Sequence, residues 1–324
     1  MKILIIGAAG MIGMRLARSI IKDDFNGEIH DITLFDVIPP KIENYKNSYK
    51  IKTGDISDPN IISELINRKP DIIYHLAAIV SGDAEENFEK GWDVNAKGTW
   101  HLLEGIRKKF LTSNGSYKPK FIYASSLAVF SGPYPSAIND DFSPNPESSY
   151  GAQKLVGEIL INEYSRKGFL DGVALRLPTI VVRPGKPNKA ASSFYSSIIR
   201  EPLNGIEAIL PVPENLCHWF ASPLSAVRFL RHAAKLDFKK LGNRRSLNLP
   251  GVSCSISEQI LALEEIAGTK TSKLIKKIPD KKIEEIVNNW PQNFMADRAI
   301  ELGFVADKDF KDIIQIYINE EINT

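Results

Sequence analysis

Tyr150 and Lys154 stand four residues apart in Tyr150-Gly151-Ala152-Gln153-Lys154, a segment that reads as helix. That spacing puts both side chains on one helical face. An ammonium beside a phenol favours the phenolate, so a tyrosine with an ordinary pKa of about 10 becomes a proton acceptor nearer neutrality. The same pair also occurs on exposed helices without function, so the surrounding elements must decide. Ser125 and Ser126 close an apolar stretch, Phe121 to Ala124. Hydroxyls at the carboxyl end of a parallel strand face the crevice where α/β proteins bind ligands. Between these serines and Tyr150 runs a long proline-rich connection, Ser131 to Ser149, and a loop of that length is functional or mobile. Either Asn145, before Pro146, or Ser149 caps the helix. With Ser149 as the cap, Tyr150 sits in the first turn, where the helix dipole further favours a phenolate.

The elements that would position this pair start at the first residues. Lys2 to Ile6 reads as a buried strand, Gly7-Ala8-Ala9-Gly10-Met11-Ile12-Gly13 as a glycine turn, and the segment to about Lys22 as a helix. Such a turn is either a plain tight turn or one that brings backbone N–H groups to a pyrophosphate. Asp31 to Phe35 forms a second strand ending in Asp36, which either accepts from both ribose hydroxyls or is a solvated strand-end acid. A carboxylate there repels the extra phosphate of NADP, so NAD is the expected dinucleotide. Asp55, after Gly54, either accepts from an adenine amino group or caps a helix. A fourth strand, Asp71 to Leu76, is closed by the small residues Ala77-Ala78-Ile79-Val80-Ser81-Gly82, which suit a flat ligand or close helix packing. Asn95 in the following helical region either braces a loop or is a polar helix residue.

A sixth strand, Gly172 to Leu177, leads into Pro178-Thr179-Ile180-Val181-Val182-Arg183-Pro184-Gly185-Lys186-Pro187-Asn188-Lys189, too rich in proline and cations for regular core. Ser222-Pro223 opens an amphipathic helix to about Leu236, a strand follows at Ser246 to Leu249, and helices dominate from Ser253. Alternating strands and helices predict an α/β fold with a doubly wound parallel sheet. The expected division is 1–178 plus 222–250 for a nucleotide-binding domain, and 179–221 plus 251–324 for a smaller interleaved substrate domain.

Composition narrows the function classes. The chain has 324 residues, a formal net charge of +2 and no dense basic run, which argues against nucleic acid and for a small-molecule partner. Cys217 and Cys254 are the only cysteines, which suggests a reducing compartment, the cytoplasm by default, and excludes a cysteine-rich zinc site. The five histidines show no metal-ligand spacing, so no metal is expected. Ile3 to Ile6 is too short for a membrane span, and Gly7 interrupts it before a signal-peptide core forms.

Taken together, Gly7-x-x-Gly10-x-x-Gly13, Asp36, Asp55, His75-Leu-Ala-Ala78, Asn95, Ser125-Ser126 and Tyr150-x-x-x-Lys154 resemble the extended short-chain dehydrogenase/reductase family over the first 180 residues or so. The resemblance implies a Rossmann sheet and NAD. It places Gly7, Gly10, Met11, Ile12 and Gly13 at the pyrophosphate, Asp36 at the adenosine ribose, and Asp55 and Ile56 at the adenine. Leu76, Ala77 and Ala78 border the nicotinamide half, with Asn95 and Pro178 also on the cofactor side, and Lys154 bonds the nicotinamide ribose. The family's catalytic serine precedes x-x-Val-aromatic, here Leu127-Ala128-Val129-Phe130, which selects Ser126 and leaves Ser125 as a backbone or cofactor contact.

Later stretches resemble a sugar-acid branch of the family: Ala77 to Gly82, Gly168 to Gly172, Arg176 to Ile180, Arg183 to Ala190, Ile199 to Leu203, Leu210 to Pro213, and His218-Trp219. That branch implies oxidation of the C2 hydroxyl of D-erythronate to the 2-oxo acid, with Tyr150 removing the proton and Ser126 bonding the same oxygen. Arg183 is the first choice for the substrate carboxylate, ahead of Lys186 and Lys189; alternatively it pairs with an acid across the domain junction. Ser81, Thr179 and Ser192 are further hydroxyl contacts, and His218 and Trp219 either close the pocket or pack in the core. Competing expectations are a nucleotide-sugar epimerase or dehydratase and an NAD-binding regulatory protein, the latter opposed by the joint presence of Ser126, Tyr150 and Lys154. Family members often form homodimers through the helices near Asn95 and Tyr150.

Overall fold

A computed structural model describes residues 1–22, 31–42, 49–185 and 192–323. Its main sheet has seven strands: β1 (Lys2–Ile6), β2 (Asp31–Asp36), β3 (Tyr49–Thr53), β4 (Ile72–His75), β5 (Lys120–Ser126), β6 (Asp171–Leu177) and, after three strands that lie elsewhere, β10 (Ser246–Asn248). They lie in the order β3-β2-β1-β4-β5-β6-β10, and every pairing is parallel. Alternate side chains of β1 enter two different cores, which is why Ile3 to Ile6 are all apolar. Ile3 and Ile5 pack with Leu16, Ile20 and Leu230, whereas Leu4 and Ile6 pack with Ile62, Leu102 and Ile161. The order in which strands are added reverses between β1 and β4, and this switch point opens a crevice at their carboxyl ends.

Local caps fix how helices enter the crevice. Ser148, rather than Asn145 or Ser149, caps helix Ser149–Arg166 by accepting from the Gly151 N–H at 3.1 Å. The Ser149 N–H instead donates to Glu85 at 3.0 Å. Tyr150 therefore lies in the first turn by way of a cap one residue earlier. Asp58, not Asp55, caps helix Pro59–Asn67.

The remaining strands build a second layer. β7 (Thr179–Ile180), β9 (Cys217–Ala221) and β11 (Val252–Ser255) form one small sheet, and β8 (Ala208–Leu210) pairs with β12 (Ile275–Lys277). Tyr195, Ile198, Phe220, Ile256 and Ile313 centre their core. His218 packs in this core, whereas Trp219 packs in a separate cluster with Phe130, Ile138 and Phe294. His218 is wholly buried and stacks on Tyr195 with ring centroids 5.3 Å apart, and the Trp219 indole donates to the Leu249 carbonyl at 3.2 Å. Between the layers, the buried Asp307 carboxylate accepts from the Ser222 N–H (2.7 Å) and from the hydroxyls of Ser222 (2.6 Å) and Ser225 (2.8 Å), anchoring helix Pro223–Lys235.

The long connection 131–148 is tied down. Ile138 forms an isolated bridge with Phe294, donating to the Asn293 carbonyl at 2.9 Å and accepting from the Met295 N–H at 2.8 Å. Tyr134 donates to the Asn289 carbonyl at 2.9 Å, and Asp140 accepts from the Arg298 N–H at 3.0 Å. Among the described residues, no helix is long and apolar enough to cross a membrane and no cluster of three metal-ligating side chains occurs.

Candidate active site

The crevice begins at the glycine turn. Gly7 has φ +87°, a left-handed conformation that favours glycine, and a Cβ there would lie 2.5 Å from the Ala77 nitrogen. A Cβ on Gly13 would lie 2.0 Å from the Gly7 carbonyl oxygen, so only glycine lets the helix start this close to β1. Met14 makes the first helical bond, to the Gly10 carbonyl at 2.9 Å. The N–H groups of Met11, Ile12 and Gly13 therefore stand at the open first turn, as an anion cradle requires. Asp36 at the end of β2 accepts from the Ala9 N–H at 2.8 Å and the Val37 N–H at 2.7 Å. Each carboxylate oxygen keeps lone pairs for ribose hydroxyls. The cradle and this acid fit a dinucleotide without a 2′-phosphate.

Asp55 is exposed and accepts from the Ser57 N–H and hydroxyl, both at 2.8 Å, beside buried Ile56. Leu76, Ala77 and Ala78 are partly exposed at the end of β4. Their loop is clamped by Asn95, whose Oδ1 accepts from the Ile79 N–H at 2.8 Å while Nδ2 donates to the Ile79 carbonyl at 3.1 Å and to Gln153 at 2.7 Å. The loop-bracing alternative is thus realised. Both amide hydrogens are spent inside the protein, so any effect of Asn95 on a cofactor passes through the loop. Pro178 is buried between β6 and β7, and Ser81 is partly exposed at the start of helix Ser81–Glu86.

Successive residues of β5 point to opposite sides, which separates the two serines. The Ser125 hydroxyl donates to buried Glu158 at 2.6 Å and is not available to a ligand. Ser126 accepts from the Ala128 N–H at 3.1 Å, and its hydroxyl reaches the Tyr150 phenol. Lys154 is buried and donates to the Ala124 carbonyl at 2.8 Å, with its Nζ 4.7 Å from the Tyr123 ring centroid and 5.5 Å from that of Tyr150.

The electrostatics differ from the simple Tyr–Lys expectation. Burial pushes the Tyr150 phenol up to about 12, and the opposing influences are Arg183 first and the Ser126 hydroxyl second. Burial also pushes Lys154 down to about 7 against the pull of Glu158. Desolvation thus acts on both members of the pair, raising the phenol and weakening the ammonium.

Arg183 donates through Nε to the Ile180 carbonyl at 2.9 Å and through Nη2 to Ser192 at 3.0 Å. Among the described residues no carboxylate pairs with it, so the alternative of an ion pair across the junction is not realised. Ser192 is thereby engaged as a support of the guanidinium. Thr179 shares a 2.6 Å hydrogen bond with His218, whose ring burial holds neutral with a pKa lowered to about 3. Lys186 and Lys189 lie outside the described residues. Sequence reasoning missed Gln153 and Glu158, both buried polar residues. Their signal was present, since Glu158 recurs four residues after Lys154 on the same helical face.

The model of the NAD dependent epimerase/dehydratase family matches residues 3–215. Two relatives named D-erythronate dehydrogenase are each 41% identical: one from Cupriavidus necator, over 99% of this chain and 98% of its own, and one from Haemophilus influenzae, over 99% of this chain and all of its own. A crystal structure described as the nucleoside-diphosphate-sugar epimerase from Agrobacterium tumefaciens superposes with a TM-score of 0.96 and 47% identity, covering 100% of this chain and 95% of that one. With the glycine cradle, Asp36 and the Ser126–Tyr150–Lys154 group already in place, these matches establish that the chain belongs to the NAD dependent epimerase/dehydratase family.

Proposed function

We propose that this protein is an NAD-dependent dehydrogenase that oxidises the C2 hydroxyl of a short sugar acid, D-erythronate, to the 2-oxo acid. The observation that carries the reading is Arg183: a guanidinium without a carboxylate partner among the described residues, close enough to Tyr150 to act on its proton affinity. In a sugar acid the carboxylate is bonded to C2, so the enzyme must hold an anion one bond from the reacting carbon. An arginine beside the proton acceptor meets that need, because its planar fork takes a carboxylate bidentately. The two D-erythronate dehydrogenases support the substrate class. The name of the Agrobacterium structure supports a nucleotide-sugar epimerase instead; that reading leaves Arg183 without a counter-charge at the reacting centre.

The residue roles follow. Tyr150 as phenolate takes the C2 hydroxyl proton, and Ser126 bonds the same oxygen. NAD, when bound, supplies the hydride acceptor. Lys154 holds its ammonium behind Tyr150 and at the nicotinamide ribose, while Arg183, steadied by Ser192, binds the carboxylate. Thr179, oriented by His218, and Ser81 receive the remaining substrate hydroxyls. Met11, Ile12 and Gly13 hold the pyrophosphate, Asp36 the ribose, Asp55 and Ile56 the adenine, and Leu76, Ala77, Ala78 and Pro178 border the nicotinamide half. Toward ligands Ser125 offers its backbone only, since its hydroxyl is held by Glu158. The cofactor domain comprises 1–178 plus 222–250, and the substrate domain comprises 179–221 plus 251–324. C2-deuterated D-erythronate tests the regiochemistry: the label should appear in the reduced cofactor, and its retention in the product would contradict oxidation at C2.

The working form is a homodimer built through the helices around Asn95 and Tyr150. Phe88 (59% exposed), Trp100 (45%) and Ile159 (60%) leave large apolar surface in these segments, of the kind that marks association. Light scattering should give a dimer mass that Trp100→Glu converts to a monomer; a monomeric wild type would refute this. Cys217 and Cys254 are both free, which supports a reducing cytoplasmic setting; recovery of the native protein in an oxidising compartment would oppose it.

A further inference from the structure

Lys154 is only 2% exposed, and a buried ammonium needs a counter-charge to remain ionised. From β5 it faces the Ala124 carbonyl at 2.8 Å and the Tyr123 ring at 4.7 Å. From β4 it faces His75, which burial keeps neutral. Its own helix supplies Tyr150 and, one turn on, Glu158. While Tyr150 is protonated, Glu158 is the one carboxylate among the described residues that acts on Lys154.

Glu158 is 3% exposed and firmly held. It accepts from Ser125 Oγ at 2.6 Å, from Arg176 Nε at 3.0 and 3.1 Å, and from Arg176 Nη2 at 2.7 Å. Arg176 in turn donates to Asn248 at 3.1 Å and stacks on Phe130 with its guanidinium carbon 4.8 Å from the ring centroid. Charges therefore alternate beneath the site, from Arg176 through Glu158 and Lys154 to the Tyr150 phenolate and Arg183. None of the proposed catalytic steps uses Glu158 directly.

We infer that Glu158 is a positioning residue for the reaction: fixed by Ser125 and Arg176 on the neighbouring strands, it keeps the Lys154 ammonium charged behind Tyr150. The inference rests on the dehydrogenase reading and adds the group that sustains its lysine. Burial already pulls Lys154 down to about 7 with Glu158 opposing, so loss of the carboxylate shifts the ammonium's titration to still lower pH. Turnover needs the charged lysine, so the level at which the rate stops climbing with pH falls with it.

The test compares Glu158→Gln with the double variant Glu158→Gln/Arg176→Gln, which removes both charges and strands neither. Glu158→Gln should keep the substrate KM within about threefold of wild type while kcat falls about tenfold, the equivalent of one pH unit in the Lys154 titration; the double variant should fall less, because the lost Arg176 charge offsets part of the change. Glu158→Asp, which draws the carboxylate back by one methylene, should lower both kcat and the Lys154 titration by a smaller amount. NMR titration of ligand-free, 13C-lysine-labelled protein should show Lys154 moving the same way without any catalysis. If Glu158→Gln does not fold, Glu158→Asp decides; a wild-type kcat and an unmoved Lys154 titration in it would overturn the inference. Inactivity of the wild type toward sugar acids would instead defeat the dehydrogenase reading, and the ligand-free titration would still judge Glu158.

Discussion

Replacing Tyr150 by Phe is expected to lower kcat by on the order of 10²–10⁴-fold, the range for a positioned proton acceptor, while NAD affinity and thermal stability stay close to wild type. Among the described residues the phenol oxygen has no hydrogen-bond partner besides Ser126, so its removal strands no described buried group. Pre-steady-state or isotope measurements would place the loss in the chemical step. Because burial sets Tyr150 at about 12 and Lys154 at about 7, the wild-type oxidation rate should climb with pH as the phenolate fraction grows and level off once Lys154 loses its proton. That climb should vanish in Tyr150→Phe. An equally active Phe variant would remove Tyr150 from proton transfer.

Arg183→Ala should act on two quantities at once. Loss of a charge-assisted bond to a substrate carboxylate costs about 1.5–3 kcal/mol, which is on the order of 10- to 100-fold in KM. Arg183 is also the largest influence holding the Tyr150 phenol down. Without it the phenol's pKa rises, so the ascending limb of kcat/KM moves to higher pH. Arg183→Lys keeps the charge but not the fork, so it should restore the pH profile more fully than KM. An Ala variant with unchanged KM would refute carboxylate binding, whereas an unchanged limb would refute only the electrostatic link to Tyr150.

Much of the cofactor half was legible because its signals are local. The apolar Lys2 to Ile6 run, the Gly7 and Gly13 positions and the strand-end Asp36 each follow from short-range rules about burial, turns and helix starts. Ser126 and Ser125 could be separated in principle, because neighbours on a strand face opposite ways. Their partners could not, since Glu158 and Tyr150 come from a helix that follows a long loop. The choice of Ser148 over Ser149 as cap turned on Glu85, far back in the chain, taking the Ser149 N–H. The tethering of 131–148 depended on residues 289–298, more than a hundred positions away. The Tyr150 shift was misread for a related reason: the spacing of Tyr150 and Lys154 reveals their proximity, but desolvation depends on the whole packed surroundings.

The central claim is oxidation of a short sugar acid, and formation of NADH by the purified protein tests it most directly. Wild-type protein with NAD should be assayed against four-carbon sugar acids, D-erythronate among them, and against nucleotide-sugars, with the product acid identified by mass. We expect NADH to appear with D-erythronate in step with a 2-oxo acid, and no interconversion of the nucleotide-sugars. Silence toward every sugar acid, together with epimerised nucleotide-sugar, would contradict the account.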